Sequence, residues 1–487
     1  MPSAASQATR QRAAHDVFIQ IFARVLNLAL GVVVTALLAR TLGDERYGQW
    51  STLFVVLGLV GYLMNFGMEG VVVREASREP EHEMEWLGSM LALRLILIGP
   101  VVLIAAGAVW LLHSSQQMLV AGLILLISMP FSGVGVLGMV FQLRVRNIVP
   151  MLVLTLRSVL WGGAVVLIYL NGTSKGGGSM VVLALAMSLT NAVGSLVQMF
   201  AGRRVVGQWL RPTRQHVGTL LRVGIPLGLS GVLVIFYARI DQVIVYVISG
   251  SRAAGLYGAV YGVLDQSHFV PVSVLTTLAP IIAAAWPADR DRMLRTVRLA
   301  AEFMAIGSLG ALAFACVAST QIVRLIFGES FIAAAPALPV LGAAFVFICF
   351  GYLNGNLLVV MGLQTRLLRI SLTALVVNLI GNLILVPLIG FMGAAWMTLL
   401  TEVVVFAASL RLILGTFELR SLGLGRIART FAAALALGGV LAGLELAGAS
   451  LAVLVIAACL CYPALLFGLR ALELDDVRVL LRRKAMA

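Results

Sequence analysis

Charge is scarce in this chain of 487 residues: Asp, Glu, Lys and Arg together make up 11%, against about 25% in ordinary soluble domains. Lysine is nearly absent. Lys175 and Lys484 are the only two, and neither stands in a Gly-Lys-Ser/Thr sequence, so no P-loop ATPase is encoded. Cysteine is also rare. Cys316, Cys349, Cys459 and Cys461 all stand inside apolar stretches without a CxxC pair or a metal-ligand spacing, and they read as small hydrophobes in helices. The stretch His82-Glu83-Met84-Glu85 has Trp86 where a zinc HExxH motif needs its second histidine. No long polar segment occurs between the apolar ones, which leaves no room for an extramembrane catalytic domain.

What is present is apolar. Hydrophobic residues make up 61% of the chain and the mean hydropathy is +1.02, which excludes a soluble enzyme carried by one anchor. The fold class expected is an all-α polytopic membrane protein. A crossing of the roughly 30 Å hydrocarbon core needs about 20 mostly apolar residues, and the chain divides into about 14 such stretches. Residues 1–15 are polar, with Arg10 and Arg12, and the apolar segment after them reads as a first span and not as a removable signal.

The net charge of +14 would suit nucleic acid if the basic residues lay together. They lie in alternate loops instead. With the N-terminus placed in the cytoplasm, Arg40, Arg46, Lys175, Arg252 and Arg324 are the only basic residues on the outer side. The inner loops hold clusters such as Arg203, Arg204, Arg211 and Arg214, or Arg290, Arg292, Arg295 and Arg298. That asymmetry is the positive-inside rule. It puts both termini in the cytoplasm with an even number of spans, and it accounts for the basic balance with no nucleic-acid partner. The tail from Glu473 onward reads as a short amphipathic helix whose basic end meets anionic lipid.

An internal repeat is visible in LGDERYGQW, residues 42–50, and SGSRAAGLY, residues 249–257. Gly43, Gly48 and Trp50 match Gly250, Gly255 and Tyr257 in spacing. The repeat implies two lobes of six spans related by an axis along the membrane normal, as in parallel-repeat transporters. The organisation expected is a cytoplasmic segment 1–15, an N-lobe 16–203, a linker 204–221, a C-lobe 222–411, a C-terminal helix pair 412–470 and a cytoplasmic tail 471–487.

Charges inside spans are costly and mark function by default. Arg24, Arg94, Arg157 and Arg239 are the basic ones. Arg94 and Arg157 stand about two turns from a helix end, where a long side chain can snorkel to water, and read first as structural. Arg24 and Arg239 are deeper. Asp241, Asp265 and Glu402 are the acidic candidates, because a carboxylate held at membrane depth can exchange protons or coordinate Na⁺. Two residues apart on a helix, Arg239 and Asp241 do not face each other, and a structural pairing of Arg239 with Asp265 is an equally good reading. Glu69, Glu302 and Glu445 lie near helix ends and read as solvated.

Four stretches resemble the Wzx-type oligosaccharide-lipid flippases, polysaccharide transporters of the multidrug/oligosaccharidyl-lipid/polysaccharide exporter superfamily. LLARTLGDERYGQWS (37–51) is similar to that family's first turn, and ARIDQVIVYVISGSRAAGLYGAVY (238–261) to its Arg-x-Asp segment. NLIGNLILVPLIGFMGAAWMTLLTE (378–402) is similar to its Asn-rich helix and following Gly-Ala-Ala turn, and NFGMEGVVVREASR (65–78) is the fourth. With the span count, the resemblance covers nearly the whole chain. Phe391, where the family often has Tyr, and the scarcity of lysine are departures.

The resemblance implies two six-helix lobes around a cationic cavity and outward movement of a polyprenyl-pyrophosphate-linked oligosaccharide in a bacterial inner membrane. It implies no catalytic residue, metal or cofactor apart from H⁺ or Na⁺ coupling. Carried over by position, Arg24 and Arg239 hold the pyrophosphate or an acidic glycan, and Asp241, Asp265 and Glu402 are coupling candidates. The partners implied are the lipid-linked oligosaccharide, membrane lipids, a polysaccharide polymerase and glycosyltransferases. A lipid II flippase and a multidrug/cation antiporter of the same superfamily remain open. A membrane glycosyltransferase, using Asp44 and Glu45 in a short outer loop, is the reading from a different class.

Overall fold

The computed structural model describes residues 4–134, 138–144, 148–171, 179–207, 210–417 and 424–472; side chains before Leu26 are outside that description. Lys175 and the amphipathic tail expected from Glu473 onward lie outside it as well. Among the described residues helix is the only regular secondary structure, with no strand. Among these residues eleven helices are long and apolar enough to cross a membrane, and Gln116–Phe131 is a shorter apolar one. The protein is a multi-pass membrane protein. Two of the eleven segments, Ala29–Arg78 and Gly231–Ala285, are 50 and 55 residues long, more than twice what a single crossing needs.

Both long segments are broken by glycine. Helix α1 (Ala4–Asn65) is interrupted at Gly43, with φ 72° and ψ 174°, and α8 (Arg214–Ser267) at Gly250, with φ 84° and ψ 175°. That corner of backbone space is essentially closed to residues bearing a Cβ. The repeat visible in sequence is thus a repeat of backbone geometry.

The chain forms two compact units, Met1–Gly255 and Leu256–Ala487. The first contains α1, α2 (Met68–Arg78), α3 (Glu83–Leu112), α4 (Gln116–Val134), α5 (Met139–Leu143), α6 (Ile148–Leu170), α7 (Ser179–Val206) and α8 up to Gly255. Its helices pack as α4 on α7, α1 on α6 and α3, and α6 on α7. A compact apolar core joins Met68, Val71 and Val72 of α2 to Trp86, Leu87 and Met90 of α3 and to Leu220 of α8. The segment before α8 is strapped to the start of α3. Ser89 Oγ accepts the Thr213 backbone N–H at 3.1 Å, and a Cβ on Gly88 would stand 2.8 Å from the Arg211 backbone.

The second unit contains the end of α8 with α9 (Phe269–Ala285), α10 (Arg290–Phe327), α11 (Ala337–Val360), α12 (Gln364–Ile389), α13 (Phe391–Leu414), α14 (Leu424–Leu446) and α15 (Leu451–Gly468). The last two helices dock on α10 through Leu309, Leu437, Leu441 and Leu454, and Tyr462 donates its hydroxyl to Ile306 O at 2.8 Å. Buried polar pairs tie the other helices. Asn354 bonds Ser409 at 3.0 Å, Asn378 bonds Thr401 at 3.3 Å and Tyr257 meets Thr398 at 3.1 Å. The turn between α12 and α13 needs Gly390 at φ 61°, and Gly393 presses on the Leu385 carbonyl, where a Cβ would approach to 2.6 Å.

Outward surfaces carry large apolar side chains such as Leu103, Ile127, Leu189, Leu388 and Leu460. Exposed leucine and isoleucine on this scale suit contact with lipid and not with water.

Candidate functional site

Helix α1 ends at Asn65 because Phe66 and Gly67 take left-handed conformations, with φ 34° and 70°, before the chain resumes as α2. Left-handed residues commonly end helices in this way. Asn65 therefore sits at a helix C-terminus, the negative end of its dipole. Arg94 of α3 is turned towards it. One guanidinium nitrogen donates both to Asn65 Oδ1 and to Glu69 Oε1, the latter at 2.6 Å. Arg94 does not snorkel: its side chain is 5% exposed. Glu69 is its counter-ion and not merely a solvated end group, and Glu302 in the second unit likewise pairs with Arg426 at 3.1 Å.

Beside this pair, the first unit has an open cavity of about 420 Å³. Phe54, Tyr62 and Asn65 of α1, Leu125, Ser128 and Met129 of α4, Arg157 of α6 and Met187, Asn191 and Ser195 of α7 form its wall. Gly58 and Gly61 on α1 leave the space open; nothing lies within 4 Å of where a Cβ on Gly58 would stand. Arg157 donates to Asn191 Oδ1, and its aliphatic stem lies directly against Gly194. Ser128 gives its hydroxyl proton to Leu125 O at 2.7 Å. Among the described residues the wall carries one permanent cation and no carboxylate, so electrostatically it is a place for an anion.

The residues singled out in sequence are distributed differently. Arg24 lies on α1 with its side chain outside the described set. Arg239 is half-buried on α8, and neighbouring Asp241 is fully buried, its Oδ1 accepting the Gln242 backbone N–H at 2.7 Å. In the second unit, Asp265 and Glu402 come within electrostatic reach of a shared neighbour, Tyr352. The Tyr352 ring meets His268 edge-on at 5.9 Å, and the absence of a side chain at Gly351 makes room beside the Glu402 carboxylate. Sequence reasoning did not single out Asn65 or Asn191. A single sequence carries no signal for them, because each is picked out only by its contact with an arginine of another helix. Among the described residues no group of three His, Cys, Asp or Glu side chains is arranged to hold a metal.

Residues 13–286 match the family described as "Polysaccharide biosynthesis protein". No curated protein sequence matches the chain. Among solved structures, the lipid II flippase MurJ in an inward closed conformation is similar, with a TM-score of 0.74 at 12% identity, over 92% of this chain and 98% of that one. A multidrug resistance MATE family transporter of the MOP superfamily is similar in its inward-facing form, with a TM-score of 0.63 at 17% identity, over 80% of this chain and 94% of that one. An outward-facing form has a TM-score of 0.56 at 17% identity, over 81% and 95%. At these identities the likeness is one of fold.

Proposed function

The chain belongs to the polysaccharide biosynthesis protein family, and from that premise we propose that it is a flippase for a polyprenyl-pyrophosphate-linked oligosaccharide. It is a membrane transporter of the MOP type by family and fold. In this reading it carries the lipid-linked sugar from the cytoplasmic to the outer leaflet of a bacterial inner membrane by alternating access, without catalysis. Fourteen crossings follow if the breaks at Gly43 and Gly250 divide their long segments and the short helix Gln116–Phe131 also spans. Both termini then lie in the cytoplasm, with lobes at 16–203 and 222–411 and an added pair at 412–470.

The observation that carries the proposal is the Arg157 cavity with its amide and hydroxyl lining and, among the described residues, no carboxylate. Guanidinium groups match phosphate and carboxylate oxygens in geometry and remain charged at membrane depth. A cell interior negative by about 100 mV favours outward movement of each negative charge by roughly 2.3 kcal/mol, so an anionic head group needs no ATP. Arg24 and Arg239 extend the cationic path in this reading, and Asp241, Asp265 and Glu402 serve as sites for coupling to H⁺ or Na⁺. Glycosyltransferases supply the substrate and a polymerase consumes it. A multidrug/cation antiporter reading is disfavoured by the same wall, which would repel a cationic drug. A lipid II flippase is the second reading, favoured by a likeness to MurJ that extends over 92% of the chain.

The test is reconstitution in liposomes with a fluorescent polyprenyl-pyrophosphate oligosaccharide, scoring protection from an external reagent with and without an ion gradient. Wild type flips the lipid, and Arg157→Ala and Arg239→Ala do not although both insert normally. Cationic dye movement against an ion gradient, with no lipid flipping, would overturn the proposal. Flipping of lipid II in preference to the oligosaccharide lipid would replace it by the second reading.

A further inference from the structure

Arginine carries five donor hydrogens and no acceptor. A carboxamide that meets a guanidinium must therefore present its oxygen, whichever way its two ends are drawn. Two asparagines on the cavity wall meet this condition. Arg94 donates to Asn65 Oδ1 and Arg157 donates to Asn191 Oδ1, so each amide nitrogen is directed away from its guanidinium. Both residues line the same cavity. Neither amide nitrogen has a hydrogen-bond partner among the described residues.

We infer that this cavity is an oxyanion site in which Asn65 and Asn191 are ligands beside Arg157, while Arg94 is a positioning residue that fixes the Asn65 amide and does not itself line the cavity. The inference rests on the flippase reading and deepens it by naming two ligand residues, Asn65 and Asn191, and the residue that positions one of them. Two NH₂ groups and a guanidinium present only N–H to the ligand. Ser128, whose proton is committed to Leu125 O, offers lone pairs suited to a sugar hydroxyl. Glu69 neutralises Arg94 from outside the cavity wall, so the wall itself keeps its positive potential. The ligand is an oxyanion attached to a sugar, and it has two sources in a lipid-linked oligosaccharide, the pyrophosphate bridge and the carboxylate of an acidic sugar.

The experiment is calorimetric titration of the purified full-length protein in detergent with inorganic pyrophosphate and, separately, with glucuronate. Asn65→Asp and Asn191→Asp keep the shape and give each arginine a stronger acceptor, yet replace the N–H donors facing the cavity with a carboxylate oxygen. Asn191→Asp should melt at or above the wild-type temperature and Asn65→Asp somewhat below it, because it sets a second carboxylate beside Glu69 at a helix C-terminus. Both should bind the oxyanion at least about tenfold more weakly, as loss of a hydrogen bond to a charged group implies. The added carboxylate itself repels an oxyanion, so the neutral near-isosteres Asn65→Leu and Asn191→Leu, which lack the N–H donors, carry the discrimination. They should also weaken binding about tenfold, whereas a purely structural role for the asparagines predicts no loss of binding in them. Arg94→Lys, which keeps a donor for the Asn65 oxygen, should retain affinity, and Arg94→Met, which releases the amide, should lose it.

Ser195→Cys supplies a measurement that does not depend on altering the asparagines. The bound oxyanion should shield this wall position from a maleimide, and absence of shielding by both probes overturns the inference. Binding of pyrophosphate alone supports it and assigns the site to the lipid linker, and binding of glucuronate alone supports it and assigns the site to the sugar. Binding of neither, or binding that both Asp variants leave unchanged, overturns it. In liposomes, flipping with an unchanged KM in both Asp variants sinks the inference and spares the flippase reading. Asparagine-dependent oxyanion binding without flipping does the reverse.

Discussion

Arg94 and Glu69 form an ion pair of 2.6 Å whose two ends sit in opposite surroundings, the guanidinium 5% and the carboxylate 54% exposed. The pair should therefore respond unequally to loss of either partner. Glu69→Ala strands a buried cation with only the neutral Asn65 oxygen, and should cost about 2 kcal/mol, below the range for a fully buried pair because the Glu69 half is solvated. Arg94→Met replaces the buried charge with an apolar chain of similar length and should cost about 1 kcal/mol. Melting temperatures in detergent should fall in the order wild type, Arg94→Met, Glu69→Ala. The opposite order would mean that Arg94 is hydrated.

Gly43 and Gly48 resist substitution for different reasons. Nothing lies within 4 Å of a Cβ on Gly43, but its positive φ with extended ψ is a glycine conformation, and Gly43→Ala should cost about 2 kcal/mol. At Gly48 a Cβ would overlap the Ser251 carbonyl, and at Gly255 it would overlap the Asp44 carbonyl. These are backbone atoms that cannot rotate aside. Gly48→Ala and Gly255→Ala should each destabilise more than Gly43→Ala. The double variant should cost less than the sum of the two singles, because both disrupt one contact that is already lost after the first. Additive melting shifts would show that the contact does not form.

The same glycines show why much of the fold is legible in sequence. Their spacing repeats because the backbone repeats, at Gly43 and again at Gly250. The Asn-rich stretch is legible for a related reason: Asn378 and Asn382 are buried polar groups in an apolar helix and must find partners, which they do in Thr401 and in each other. The cavity is not legible in this way. Depth in a span marks Arg94 and Arg157 as costly, but it does not say whether the side chain turns to the membrane surface or inward. That choice depends on an asparagine in another helix, Asn65 or Asn191, and pairing between helices leaves no periodic trace in a single chain.

Within the second unit, Thr401→Val is the sharpest test of that asparagine ladder. Asn378 and Thr401 are almost completely buried, and the valine is nearly isosteric, so the change isolates the hydrogen bond from Asn378 Nδ2 at 3.3 Å. A buried donor left without its acceptor costs about 1–3 kcal/mol. Asn382 keeps its bonds to Asn378 O at 2.8 Å and Oδ1 at 3.0 Å, so the loss should remain local. A cooperative melt at reduced temperature with unchanged helicity is expected, whereas a melting temperature equal to wild type would show that the bond contributes nothing.

Gly194→Ala tests the placement of Arg157 without touching any polar group. Gly194 stands one turn beyond Asn191 on the same face of α7, and a Cβ there would occupy the space of Arg157 Cγ and Cδ. The guanidinium would be displaced from Asn191 while its charge stayed in the cavity. Insertion should be normal and the melting shift within about 1 kcal/mol, because the displaced stem is flexible and the methyl adds only a small volume. Transport of the anionic lipid should suffer more than stability does. Loss of a positioned charge-assisted bond raises the apparent KM about tenfold, whereas Arg157→Ala removes the cation altogether and should abolish transport. Combining Gly194→Ala with Arg157→Lys discriminates further, since the lysine stem is slimmer beside the new methyl and should recover part of the lost affinity. Wild-type KM in Gly194→Ala would mean that charge alone, and not the Arg157–Asn191 geometry, recognises the substrate.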